Sequence, residues 1–251
     1  VLISIVVKAE VEMLVFEFKI KAKEYQYQAI NEAIRIGEFI RNKCLRYWMD
    51  ATREEKVNFA CMGKIIPNLC EQFPFADKLN SMARKASAET AWFSVSRLSD
   101  NCQKKVLGKK GYPRFKKLSI SGEYKTSGWK LSEEKKRLTI TDKTGIGRLK
   151  LIGTIDLNFS QIKQIKRVRL VKRDDGFYVQ FCVEKDRLEN VEPTGSVVGL
   201  DVGLESFYTD SNGNKVENPR FLRKSEKKLK KLSKTEKGSN NRKKAQNKLA
   251  L

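Results

Sequence analysis

Hydrophobic residues recur along this chain with two different periods, and each change of period marks a new part. Over residues 14–21 Leu14, Phe16, Phe18 and Ile20 alternate with Val15, Glu17 and Lys19, and that period of two predicts a strand with one buried face. From Glu24 the spacing becomes three to four, through Ile30, Ala33, Ile34, Gly37, Ile40, Arg41, Cys44, Leu45 and Trp48. This predicts one long amphipathic helix reaching about Asp50. A weaker helix is expected over 58–69, a connection over 68–75 at Pro74, and a second long helix over 77–101 with Met82, Ala86, Trp92, Phe93 and Val95. Those aromatics read as core packing ahead of base stacking.

Helical spacing stops in 104–117, where glycines, a proline and basic residues crowd together and the chain turns back into strands. Short alternating pieces follow at 130–131, 137–141 and 148–151. Residues 168–171 and 177–183 flank Asp174-Asp175-Gly176, which predicts a hairpin. On it Val168 and Leu170 share the core face, and the pleat places Arg167, Arg169 and Arg173 on the other. With no facing acid in view, that face is expected either to track phosphates or to stand as an ordinary solvated strand face. A polar linker is expected over 189–195, then an apolar strand over 196–202 and a second over 206–210. The turn Ser211-Asn212-Gly213-Asn214 leads into a third strand at 215–217.

Length and charge narrow the partners. With 251 residues, 40% of them hydrophobic, and roughly 100–200 residues per domain, the chain holds one to three cored domains. Its 52 Lys and Arg against 30 Asp and Glu give a net charge of +22. Solubility of a small domain needs only about 2–8 charges, so a polyanion is expected against this surface. Nucleic acid fits better than a membrane, because no amphipathic anchor or lipidation motif accompanies the charge. Half of it lies in residues 220–251, which hold thirteen Lys or Arg and two acids, Glu226 and Glu236. There Phe221, Leu222, Leu229 and Leu232 keep a thin apolar edge, and Gly238-Ser239-Asn240 separates two helical halves. The segment is expected to line a nucleic-acid groove through Arg220, Arg223, Lys224, Lys227, Lys228, Arg242 and Lys243.

Other residues exclude whole classes of chemistry. The five cysteines, Cys44, Cys61, Cys70, Cys102 and Cys182, are odd in number and never form a C-x-x-C pair, so neither a disulfide framework nor a zinc knuckle is indicated. Histidine is wholly missing, which removes Ser-His and Cys-His nucleophile pairs and leaves carboxylates to build any metal site. Residues 1–7 are too short to span a bilayer and lack the features of a signal peptide. A cytoplasmic, nucleoid-associated protein is expected, with residues 1–12 as an upstream extension before the more natural start at Met13. Asp201 stands in VVGLDVGLESF, a carboxylate inside an apolar strand, where desolvation costs several kcal/mol unless compensated. A lysine partner or a strand-end cap would compensate it. So would a pair of divalent ions held by acids on neighbouring strands, for which Mg²⁺ suits oxygen-only ligands.

Several motifs occur in one order: GYPRFKK at 111–117, GWKLSEEKKRLTI at 128–140, RLVKRDDGFYVQFCVE at 169–184, GLDVGL at 199–204, the SNGN turn, ENPRFLRKSEKKLKKL at 217–232 and KGSNNRKKAQNKLA at 237–250. Together with the helix at 24–50 they resemble the TnpB/OrfB proteins of insertion sequences, relatives of the type V CRISPR effectors. The resemblance implies an α+β fold: a wedge β-barrel from 13–23 and 112–190, an inserted helical recognition lobe over 24–111, and an incomplete RNase H-like (RuvC) domain over 195–251. It implies a protein that holds a guide RNA and cuts double-stranded target DNA, with pairing reading the sequence while the protein reads shape and a short adjacent motif. Asp201 then matches the first catalytic, Mg²⁺-binding aspartate, Lys78 at the start of the second long helix a DNA contact, and Arg114 and Lys116 backbone contacts. The family's later glutamate, final aspartate and zinc ribbon would fall after residue 251. A truncated copy that binds no zinc and does not cleave by itself is therefore expected. A non-enzymatic nucleic-acid-binding remnant or regulator is the alternative, and a ribosomal or chromatin-like basic protein a third reading.

Overall fold

The computed structural model describes residues 11–153, 162–186, 195–236 and 238–250. The chain divides into two compact units, Val1–Arg187 and Leu188–Leu251. Most of the expected 1–12 extension, and the linker over 189–194, lie outside the described residues; the first strand already begins at Val11.

The first unit mixes helices with an antiparallel sheet. Strands β1 (Val11–Lys21), β2 (Ser121–Tyr124), β3 (Trp129–Leu131), β4 (Arg137–Ile140), β5 (Gly147–Ile152), β6 (Ile165–Arg173) and β7 (Gly176–Asp186) form one sheet in the order β2-β6-β7-β1-β5-β4-β3. The alternation in β1 does sort its faces: Phe18 and Ile20 are buried, although Leu14 near its other end stays 37% exposed. β1 is central because it pairs with β7 along most of its length and with β5 from Lys19 onward. Phe18 meets Phe181 of β7 edge to face at 5.8 Å, a favoured aromatic geometry, above buried Val168, Leu170 and Val179.

Three helices occupy the chain between β1 and β2: α1 (Glu24–Asp50), α2 (Phe59–Gln72) and α3 (Ser81–Gln103). α1 buries Ile30, Ala33, Ile34, Ile40, Cys44 and Leu45, the stripe that its period predicts. Its first turn is bolted to the sheet by buried Gln26, whose Nε2 donates to the carbonyls of Ile146 at 2.7 Å and Arg148 at 3.0 Å. α3 turns small residues inward (Ala83, Ala86, Ala88 and Ala91). Gly37 of α1 allows the close approach, since a Cβ there would stand 3.1 Å from Ser87 Oγ.

Two boundaries differ from the sequence expectation. α2 continues to Gln72, and α3 begins only at Ser81, because Asn80 caps it by accepting a hydrogen bond from the Met82 nitrogen at 2.8 Å. Asp77 and Lys78 therefore sit in the short 3₁₀ turn Pro74–Lys78, not on the helix.

The second unit contains a three-stranded antiparallel sheet in the order β10-β9-β8, from β8 (Leu200–Asp201), β9 (Ser206–Asp210) and β10 (Lys215–Glu217). Helices α4 (Phe221–Ser233) and α5 (Asn240–Ala250) follow and pack on each other. The expected strand over 196–202 shrinks to two residues, and Leu200 and Val202 are exposed. Among the described residues of this unit, Leu232 is the buried hydrophobic side chain, so the unit itself supplies no layer over the apolar run around Asp201.

Candidate nucleic-acid interface

Every residue of α4 before Leu232 is exposed, so Arg223, Lys224, Lys227 and Lys228 all reach solvent. Among the described residues, no Lys or Arg of α4 or α5 forms an ion pair with a carboxylate. Such a bare cationic pair of helices repels itself and is relieved by a polyanion. Lys243 on α5 is likewise exposed.

Two members of the expected set shape the ends of these helices, Arg220 through its backbone and Arg242 through its side chain. Arg220 is the residue before α4, in the left-handed conformation with φ 48° and ψ 42°, and its backbone nitrogen donates to Asn218 Oδ1 at 3.0 Å. Arg242 folds its guanidinium onto the end of α4, donating from Nη1 to the carbonyls of Thr235 at 2.7 Å and Leu232 at 3.3 Å. A cation there satisfies carbonyls that a helix end leaves unpaired and complements its dipole. Ser239 Oγ in turn accepts from the Arg242 nitrogen at 3.2 Å, so it caps α5.

On the large sheet the arginines do have facing acids, which corrects the expectation of an unopposed face. Glu123 of β2 lies opposite Arg169 of β6; its carboxylate accepts from Arg169 Nη2 at 2.9 Å and from Arg167 Nη1 at 2.7 Å. Arg167 also reaches Glu89 of α3 at 3.1 Å, and Glu89 holds Lys125 at 2.8 Å. Further along the same row Arg169 pairs in register with Gln180 and Gln180 with Glu17. The Glu17 carboxylate accepts from Gln180 Nε2 at 2.8 Å and Arg173 Nη2 at 2.6 Å. These arginines tie strands and α3 together before they can meet a phosphate.

Lys78 is also engaged, with Glu32 of α1 at 2.9 Å, while Asp77 beside it accepts from Arg84 at 2.7 Å and Lys143 at 2.6 Å. Arg114 and Lys116 are exposed on a segment fixed to α1 through its backbone. Arg41 Nη1 donates to the Arg114 carbonyl at 3.0 Å, and Asn42 bonds both the nitrogen and the carbonyl of Lys116. Partial desolvation, and next the Arg41 cation, pull the Lys116 ammonium below the usual lysine range. Arg41 and Asn42 were not among the residues expected at a site. The available signal was an arginine at a core position of an amphipathic helix, a residue that is rarely buried without a reason.

Asp201 is exposed at the end of β8, opposite Thr209 of β9. The premise of a buried carboxylate in need of compensation is thereby overturned. The carboxylate with a built environment in this sheet is Asp210, which organises the SNGN turn: it accepts from the nitrogens of Asn212 at 2.9 Å and Asn214 at 2.8 Å and from Asn214 Nδ2 at 2.7 Å. The Asn214 side chain, then the backbone donors, hold its carboxyl below the ordinary range. Among the described residues no three acids, cysteines or histidines cluster as a metal site, so the residues present do not fit a divalent cation at Asp201. Among the described residues no helix is long and apolar enough to cross a membrane.

Residues 180–251 match the OrfB_IS605 family, described as a probable transposase. No curated protein matches the chain. The cryo-EM structure of the Cas12f1–sgRNA–target DNA complex aligns at 10% identity and a TM-score of 0.43, over 89% of this chain and 58% of that one. That of a CRISPR–Cas12f ternary complex aligns at 10% identity and a TM-score of 0.35, over 85% of this chain and 54% of the other. The chain thus spans little more than half the length of either.

Proposed function

We propose that this chain, whose residues 180–251 match the OrfB_IS605 family, is a transposon-associated protein that binds a guide RNA and double-stranded target DNA. The observation that carries the reading is the α4–α5 pair: within the family-matched segment, residues 220–251 hold thirteen Lys or Arg against two acids. Among the described residues those cations have no carboxylate partner, and apart from Arg242, which is spent on the Thr235 and Leu232 carbonyls, they remain available to phosphates. Arg223, Lys224, Lys227, Lys228 and Lys243 are the side chains we assign to backbone contact. The first unit would serve as the wedge and recognition part, and the second as the start of the RuvC-type domain.

Binding, rather than hydrolysis, is the activity these residues support. Family nucleases of the RuvC type use Mg²⁺, and Asp201 is the position we match to their first catalytic aspartate. Among the described residues Asp201 belongs to no cluster of three potential metal ligands. The non-enzymatic reading, a nucleic-acid-binding regulator, is favoured for this chain by that exposed carboxylate outside any such cluster.

Sequencing the RNA that co-purifies with the full chain tests the assignment. Enrichment of transposon-end transcripts is the expected outcome, and bulk ribosomal fragments alone would defeat it. Incubating the chain with that RNA, target DNA and Mg²⁺ tests the second point: no cutting is expected, and cutting that Asp201→Ala abolishes would restore the nuclease reading.

A further inference from the structure

A cavity of about 230 Å³ opens in the first unit where α1, α3 and β2 meet, with Arg41, Glu38, Lys116, Ser119, Ser121 and Arg169 in its lining. Arg41 is the anomaly. It is a buried guanidinium whose Nε is shielded from solvent and has no hydrogen-bond partner. Its Nη1 reaches only neutral acceptors, Asn42 Oδ1 at 2.8 Å and the Arg114 carbonyl at 3.0 Å.

The two acids at the cavity are committed elsewhere. Glu38 accepts a hydrogen bond from the Ser119 nitrogen, and Glu123 is held by Arg167 and Arg169. Desolvation weakens the Arg41 cation despite the favourable field of Glu38, and desolvation, then Arg41, weakens Lys116 against the same favourable field. Two partly desolvated cations beside an open space are the arrangement that an anion corrects. Ser87 and Thr90, also in the lining, spend their protons on the carbonyls of Ala83 and Ala86. The donors left over in the lining are the Lys116 ammonium and the hydroxyls of Ser119 and Ser121, beside the charge of Arg41, which has no carboxylate bonded to it. Several donors converging on a small volume match a tetrahedral oxyanion, which only accepts.

The rim indicates where that oxyanion comes from. The segment leading to Lys116 interleaves cations with aromatics: Arg114, Lys116 and Lys117 are exposed, as are Tyr112 at 61% and Phe115 at 45%. Cations that follow a backbone beside rings on which bases stack form the pattern of a single-strand track.

We propose that the Arg41–Lys116 cavity seats one backbone phosphate of a single-stranded RNA that runs along residues 112–117. This takes its ligand class from the function proposed above, but it does not depend on the α4–α5 helices.

The test uses the full chain and a fluorescently labelled single-stranded oligoribonucleotide, titrated by anisotropy across a series of salt concentrations. Lys116→Met is the main variant, because Lys116 is exposed and its bonds to Asn42 are made by backbone atoms. Ser119→Ala with Ser121→Ala is a second, in case Lys116→Met alters folding. Loss of the Lys116 charge should lower the slope of log K against log salt by about 0.7 for a single strand, the serine double variant should weaken binding at every salt concentration with the slope kept, and inorganic phosphate should raise the Tm of the wild type but of neither variant relative to chloride at equal ionic strength. An unchanged slope in Lys116→Met with unchanged affinity in the serine variant, beside tight wild-type binding, would overturn the phosphate seat alone. Phosphate protection lost in Lys116→Met with RNA binding untouched would mean that the site serves free phosphate, which also overturns it. Failure of the wild type to bind RNA at all would instead remove the functional reading on which it rests.

Discussion

Asn42 brackets Lys116 across 74 residues of chain: its Oδ1 accepts from the Lys116 nitrogen at 3.0 Å and its Nδ2 donates to the Lys116 carbonyl at 2.7 Å. The side-chain amide thus stands where a neighbouring strand would, and it fixes a segment with no regular secondary structure of its own.

Asn42→Ala removes both bonds at once, and with them the Oδ1 acceptor of Arg41 Nη1. At about 1 kcal/mol per hydrogen bond, a loss of about 2–3 kcal/mol in denaturant unfolding is expected. Limited trypsin digestion should then cut after Arg114, Lys116 or Lys117 faster than in the wild type. Equal digestion rates would mean that Asn42 does not hold the segment.

Glu123 joins β2 to β6 through two arginines and is itself only 17% exposed. Glu123→Ala takes the carboxylate from Arg169 and leaves Arg167 with Glu89 alone, so about 1–3 kcal/mol should be lost, less than a fully buried pair would lose because Arg167 and Arg169 keep some solvent. Adding Arg167→Met to Glu123→Ala should recover part of the loss. Strictly additive losses in that double-mutant cycle would argue against direct coupling.

Arg242 separates a structural cation from the binding ones. Arg242→Met should speed hydrogen exchange in the last turn of α4, whereas Lys243→Met should leave that exchange unchanged and reduce the salt dependence of nucleic-acid binding. The reverse pattern would return Arg242 to the set of phosphate contacts.

Asp77 predicts a pH dependence of definite sign. Lys143 and then Arg84 hold its carboxyl below the ordinary range. A carboxyl lowered in the folded state binds protons more weakly there than in the unfolded chain. Its contribution is therefore complete above the ordinary value of about 3.9 and is lost as pH falls through the lowered one. Because the site is exposed to screening, the effect should be small. Asp77→Asn should have the lower Tm near neutrality, with the gap closing below about pH 4. A gap that stays constant down to pH 2 would contradict this.

Residues whose structure depends on their neighbours in sequence could be read directly. The alternation around Phe18 identified β1, the three-to-four spacing from Ile30 to Leu45 placed α1 at Glu24–Asp50, and Asp174-Asp175-Gly176 marked the turn between β6 and β7. Periodicity is a property of local backbone geometry, so the linear chain carries it. The concentration of charge in 220–251 was equally plain, because net charge needs no coordinates.

What a charged side chain meets is set by register and packing, and only the tertiary structure decided it. Glu123 is 46 residues from Arg169, and strand pairing alone brings them opposite each other. Arg242 looked like its lysine neighbours until the turn after α4 carried it back onto the Thr235 carbonyl. Asp201 looked buried because its sequence neighbours are apolar, yet burial requires a covering layer, and the described residues of the second unit supply none. Arg41 looked like part of a helix stripe, and only the meeting of α1, α3 and β2 shows a guanidinium enclosed beside a cavity. Such energies depend on distances between residues remote in sequence and on solvent exclusion by the whole fold, which no local pattern encodes.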